Sequence, residues 1–278
     1  MARPAFVHIP VTKVNTSSSF DTDEVLAAEE PVEIRLEYGP AGQRMQKSIS
    51  VTMRTPGNDM ELATGFLYTE GIITSAKKII SIKHCNGTNE NVVRVSLDEN
   101  VQPDMAKLDR HFYTTSSCGV CGKSSIEAVR TACNVAVTED TLRVPSSLIY
   151  ELPEKLRKQQ EVFEHTGGLH GCALFDMEGN LLLAREDVGR HNAVDKLIGA
   201  MLNKDTLPLQ EHMLLLSGRA SFELVQKATM AGIKIIVAIG APSSLAAQMC
   251  EEWGMTLIGF LRGERYNIYT GAHRIIMQ

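Results

Sequence analysis

Between residues 212 and 261 the chain reads HMLLLS, FELVQKATMAG, IKIIVAIG, SSLAAQMCEEWG and MTLIGFL, a strand–helix–strand–helix–strand alternation. The three strand segments are almost wholly apolar, as strands covered by helices on both faces are. This predicts a three-layer α/β domain with parallel central strands. In an open sheet of that kind ligands bind outside the carboxyl ends of the strands. The loops that follow those ends are SGRAS (217–221), GAPSS (240–244) and RGER (262–265).

The first two loops are glycine-containing turns that open helices, so free backbone N–H groups and positive helix ends face one edge. Gly218 and Ala241 lie in the turns, and Ser217, Ser221, Ser243 and Ser244 add hydroxyls. Arg219, Arg262 and Arg265 add charges suited to phosphate. Each loop alone also reads as a capped helix start with solvated arginines. Three on one edge favour a phosphate-bearing ligand. A second polar run, REDVGRHNAVDK (185–196), spaces Asp187, His191 and Asp195 four residues apart. On a helix face they would serve as metal ligands or acid/base groups; equally, Asp187 caps the helix and the others are solvated or paired. The same segment carries an apolar helical stripe of Val194, Leu197, Ile198, Met201 and Leu202.

At 278 residues and 44% hydrophobic, the chain has enough apolar content for more than one packed unit. Residues 1–29 are polar and poorly periodic, a loose arm with a short edge segment. Residues 30–105 predict a smaller α+β N-terminal lobe. It comprises a hairpin across 39–42, a helix opened by a capping-box-like Asn58 and Glu61, and two strands around Asn86-Gly87. Residues 106–144 form a Cys-x-x-Cys loop and connector with a short helix, and 145–278 the α/β domain. Within that domain a helix with Leu148, Leu152 and Leu156 on one face is kinked at Pro153, and LHGCALFD pairs with NLLLARE as a hairpin. A net charge of −5 argues against a nucleic-acid partner. With neither an apolar leader nor a run of about 20 apolar residues, the expectation is a cytoplasmic protein with no membrane association.

Six cysteines in so long a chain are too few for a secreted disulfide scaffold. Cys118 and Cys121 sit in TTSSCGVCGKSS, among residues with little apolar surface to bury. A closed zinc site needs four ligands; Cys118 and Cys121 supply two, and Cys85 with His84, or Cys133, would have to complete it. The His-x-Glu and Pro-Cys-x-x-Cys of a zinc deaminase are absent. A thioredoxin-like dithiol wants a strand before the pair and a helix after it, and HFYTTSS is a weak strand. Sulfur transfer, dithiol redox chemistry on a nucleotide-bearing substrate and a zinc-stabilised adaptor all remain open on the residues alone.

CGVCG, HTGGLHGCALF, REDVGRHNAVDKLIG, SGRASFELVQKA, APSSLA and GFLRGERYNIYT, in that order, resemble the formate dehydrogenase accessory sulfurtransferase family, FdhD/NarQ, from about residue 30 to the C-terminus. The resemblance implies a sulfur carrier that accepts persulfide sulfur from a cysteine desulfurase. The sulfur would pass to the molybdenum bis(molybdopterin guanine dinucleotide) cofactor before insertion into formate dehydrogenase. It further implies a cytidine-deaminase-like C-terminal domain without the zinc site, and a homodimer. The apolar faces of the small lobe or of Leu148–Leu156 are the expected dimer surfaces. The persulfide falls on Cys118, with Cys121 as its neighbour, and the cofactor segment on Phe260, Leu261, Arg262, Gly263, Glu264 and Arg265. GDP is the expected fragment mimic.

Overall fold

The structure is a computed structural model that describes residues 4–85, 91–103 and 140–277. The arm is not loose: β1 (Phe6–Val14) and β2 (Ser19–Ala27) pair antiparallel over their whole length, from Phe6↔Ala27 to Val14↔Ser19. The sequence hid this because both faces of the ribbon are largely exposed, so no apolar face alternates with a polar one.

Strands β3 (Glu30–Tyr38) and β4 (Met45–Arg54) form the expected hairpin, and β5 (Ile79–His84) and β6 (Val92–Leu97) pair antiparallel. The sheet order is β4-β3-β6-β5, with β3 and β6 parallel. Helix α1 (Asp59–Thr69) lays Leu62, Ala63 and Leu67 on Ile34, Leu36, Val93 and Val95. Its start departs from the capping box. Asn58 has φ 56° and its side chain caps nothing, while Glu61 makes a bidentate pair with Arg185, at 2.6 and 2.8 Å, on the far side of the chain.

The larger sheet has the order β13-β12-β11-β10-β8-β9. Its members are β8 (His170–Phe175), β9 (Leu181–Asp187), β10 (Met213–Leu216), β11 (Ile235–Ala238), β12 (Thr256–Arg262) and β13 (Arg265–Thr270). As expected, β10, β11 and β12 are parallel and β8 and β9 form a hairpin. A short pairing of β7 (Val144–Pro145) with β14 (Ile275–Ile276) ties the C-terminus down. The architecture is mixed α/β.

Helix α2 (Ser146–Arg157) continues through Pro153, and the break comes afterwards, before α3 (Glu161–Thr166). Leu152 and Leu156 of α2 are fully buried against Phe175, Leu215 and Val237. That face is spent inside the chain and is not a dimer surface. The opposite sheet face carries α4 (Arg190–Asn203), α5 (Phe222–Met230) and α6 (Ser244–Glu252). No helix among the described residues is long and apolar enough to cross a membrane.

The stripe on α4 is buried as expected, yet every residue from Asn192 to Leu202 is buried as well. The reason is α1, which crosses α4 on its other side. A Cβ on Gly65 would lie 1.9 Å from the Asp195 carbonyl oxygen, and one on Gly199 would lie 1.9 Å from that of Glu61. In an exposed helix, Gly→Ala gains about 1 kcal/mol. Here Gly199→Ala must push two backbones apart, so a loss of about 1–3 kcal/mol is expected by urea unfolding. A stabilised variant would show that the helices do not cross so closely.

Candidate functional site

Because β8 is antiparallel to β10, and β9 to β8, the end of β9 joins those of β10, β11 and β12 at one edge. The expected ligand loops meet there and are stitched by backbone bonds. The Ser217 N–H donates to the Gly171 carbonyl (2.9 Å), the Gly240 N–H to Gly218 (3.0 Å) and the Phe260 N–H to Gly240 (3.1 Å). Ala220 and Pro242 form a parallel bridge. A Cβ on Gly240 would come within 2.9 Å of the Gly218 carbonyl, so glycine is required for this approach.

The side chains divide by use. Ser217 Oγ accepts from the Gly171 N–H (2.9 Å), and Ser243 Oγ caps α6 by accepting from the Ala246 N–H (3.2 Å). For those two hydroxyls the structural role is filled. Ser221 makes no cap bond with its side chain and lies 3.3 Å from His191 Nε2. Ser244 is exposed and Ala241 half-buried. Arg262 and Arg265 are register partners across a tight turn of Gly263 (φ 55°) and Glu264, and both are exposed, as is Arg219. Phe260, 42% exposed, has φ 54° where the β12–β13 register shifts. Left-handed backbone at a bulky residue is strained, on the order of 1 kcal/mol or more, and such strain gathers at ligand sites. Leu261 points the other way, into the core, so only its backbone is available to a ligand.

Asp187, His191 and Asp195 do not converge on a metal. Asp187 is the last residue of β9 and not the helix cap expected: it accepts from the N–H of Gly189 (2.8 Å), itself the N-cap of α4, and pairs with buried Lys196 at 2.7 Å. Asp195 accepts from Thr69 Oγ1 (2.8 Å) and Lys227 Nζ (2.9 Å). Burial pulls Lys227 down, but the carboxylates of Asp195 and Glu70 outweigh it and hold the ammonium above the ordinary lysine value. Among the described residues no group of His, Cys, Asp and Glu is placed to hold a metal ion. His191 is held down to about 4, by burial first and then by the charges of Lys227 and Arg190, and is neutral at pH 7.

Cys118 and Cys121, with Cys133, lie outside the described residues. Cys172 and Cys250 are buried, and burial pushes both thiols up, Cys250 to about 12, so neither is a thiolate at neutral pH. Cys85 is half-buried and free.

The profile of the FdhD/NarQ family matches residues 27–276, nine-tenths of the sequence. The chain belongs to the FdhD/NarQ family. Among its FdhD relatives, the sulfur carrier protein FdhD of Mycolicibacterium paratuberculosis is 49% identical over 95% of this chain and 97% of its own. That of Streptomyces avermitilis is 48% identical over 96% and 95%, respectively. A crystal structure of a proposed formate dehydrogenase accessory protein from Desulfotalea psychrophila superposes with a TM-score of 0.75 at 26% identity. It covers 98% of this chain and 100% of that one.

Within this FdhD/NarQ chain, sequence reasoning missed that the 187–191 turn and the start of β8 lie at the same sheet edge as the three strand-end loops. The signal was present. A hairpin whose first strand lies antiparallel beside β10 must return its second strand's end to the same edge.

Proposed function

We propose that this protein is a sulfur carrier, acting in the cytoplasm, that accepts persulfide sulfur from a cysteine desulfurase. It passes the sulfur to molybdenum bis(molybdopterin guanine dinucleotide) before that cofactor enters formate dehydrogenase. The observation that carries this reading is likeness over nearly the whole chain to relatives named sulfur carrier protein FdhD. The homodimer and the cytidine-deaminase likeness of the larger sheet belong to the same reading, as does the division of the chain into arm, small lobe, cysteine segment and α/β domain.

In the first step the Cys118 thiolate attacks the sulfane sulfur of the donor persulfide. A new S–S bond forms on Cys118, the donor S–S bond breaks, and the desulfurase cysteine leaves as a thiolate. Cys121 steers the sulfur or resolves the intermediate. The acceptor is held by the strand-end loops: backbone N–H groups, Ser221, and the arginines at 219, 262 and 265 meet its phosphates, while exposed Phe260 offers a ring to the base.

Mass spectrometry after incubation with a cysteine desulfurase and cysteine tests the carrier half; one added sulfur atom is expected, and none would refute it. Calorimetry tests the nucleotide half. GDP is expected to bind the intact protein, and Arg219→Ala with Arg262→Ala to weaken it about tenfold or more, since charged hydrogen bonds are worth about 1.5–3 kcal/mol each. Unchanged GDP binding in that variant would remove these arginines from the site.

A further inference from the structure

Arg190 is the first residue of α4, at the edge where β9 ends. Its Nε is buried and has no hydrogen-bond partner among the described residues. The neighbouring carboxylates are engaged elsewhere. Asp187 is taken by Lys196, Asn192, Gly189 and the Thr55 N–H. Glu186 accepts from the Val162 and Phe163 N–H groups and from Gln160. A buried donor left unmatched costs about 1–3 kcal/mol, more when charged, and each such group in a native fold calls for an explanation.

Two imidazoles share its surroundings. Both His170 and His191 are held down chiefly by burial and further by the positive charge of Arg190. His191 Nε2 is 3.3 Å from Ser221 Oγ, and His170 Nδ1 is 3.3 Å from where a Cβ on Gly218 would stand. His191 therefore touches the 217–221 loop, and His170 faces it at Gly218. Around His191 the cations Lys227 and Arg190 are opposed by Glu223, 3.9 Å away, and Glu70; around His170 Arg190 is opposed by Asp187. Arg219, Arg262 and Arg265 are exposed, whereas Arg190 is half-buried. A guanidinium partly shielded from water attracts an anion more strongly than a fully solvated one and presents a fork that matches phosphate oxygens.

We propose that Arg190 is the main phosphate-binding residue of this edge, its guanidinium receiving the diphosphate of a nucleoside-diphosphate ligand while His170 and His191 flank it. The inference rests on reading the strand-end loops as a nucleotide site and says which part of the nucleotide is read most strongly.

The test is calorimetry on the full chain with GDP, inorganic pyrophosphate and guanosine. Arg190→Gln should weaken GDP and pyrophosphate at least tenfold while guanosine binding stays as in the wild type and the melting temperature does not fall. Arg190→Lys should recover part of the loss, and it carries the test if the glutamine variant does not fold. Pyrophosphate bound equally well by the wild type and by folded Arg190→Gln or Arg190→Lys would overturn the assignment. Pyrophosphate binding that depends on Arg190, with GDP no tighter, would uphold Arg190 and overturn the guanine reading. Wild-type protein that binds neither would overturn both.

Discussion

Cys118→Ser protein is expected to carry no transferable sulfur after a desulfurase reaction and to support no formate dehydrogenase maturation, with its melting temperature and GDP binding unchanged. The oxygen of serine is neither ionised at neutral pH nor able to form the S–S bond that holds the cargo. Serine is nearly isosteric with cysteine, and the surrounding TTSSCGVCGKSS offers little apolar packing to lose. Cys121→Ser should lower transfer without abolishing it. A Cys118→Ser protein that still gained one sulfur atom and still served maturation would move the carrier cysteine elsewhere. Loss of a bound zinc ion from both variants would make the pair structural.

Lys227→Met should cost about 3–5 kcal/mol in urea unfolding, because it strands the Asp195 carboxylate, which is 3% exposed, without its cation. Thr69 Oγ1 alone cannot neutralise it. Adding Asp195→Leu should restore a large part of the loss, since replacing a buried ion pair by apolar groups is often close to neutral. A single variant within about 1 kcal/mol of wild type would mean that water or a neighbouring side chain reaches Asp195.

The C-terminal alternation was legible because β10 and β11 are buried on both faces, as is β12 over its first four residues, so they appear as apolar words such as MLLL or IIVA. The hairpins at 39–42 and 177–179 were legible from their turn residues. Long-range polar pairing was not. Glu61 at the third position of α1 looks like half of a capping box, yet tertiary structure offers it Arg185, and a bidentate guanidinium outcompetes a backbone N–H. The same limit applies to Asp187, His191 and Asp195. Their spacing suggested one helix face, but Asp187 ends β9 while His191 and Asp195 lie on α4, and each found a different partner. Gly65 and Gly199 were silent because a glycine in a helix pattern looks like a weakness until the second helix is placed against it. That the three loops meet at one edge could be read from strand ends alone. The part played by Arg190 could not, since an orphaned donor is a property of its surroundings.

The N-terminal ribbon carries a hazard and its remedy together. Among the described residues neither outer edge of this two-stranded ribbon pairs with another strand, and Phe6, Val7, Val14, Phe20 and Leu26 are exposed on it. Open, apolar strand edges invite sheet growth from chain to chain. Pro10 lies mid-way along β1, opposite Asp23, without breaking the register. A proline keeps such a ladder intact only if its nitrogen faces away from the partner strand, so the outer edge of β1 lacks a donor at its centre. Lys13 and Glu24, 2.7 Å apart, and Asp21 and Asp23 set charges along the same ribbon. Exchange of Pro10 for valine would complete the missing donor, and the chain would be left with a continuous template for fibril-like stacking.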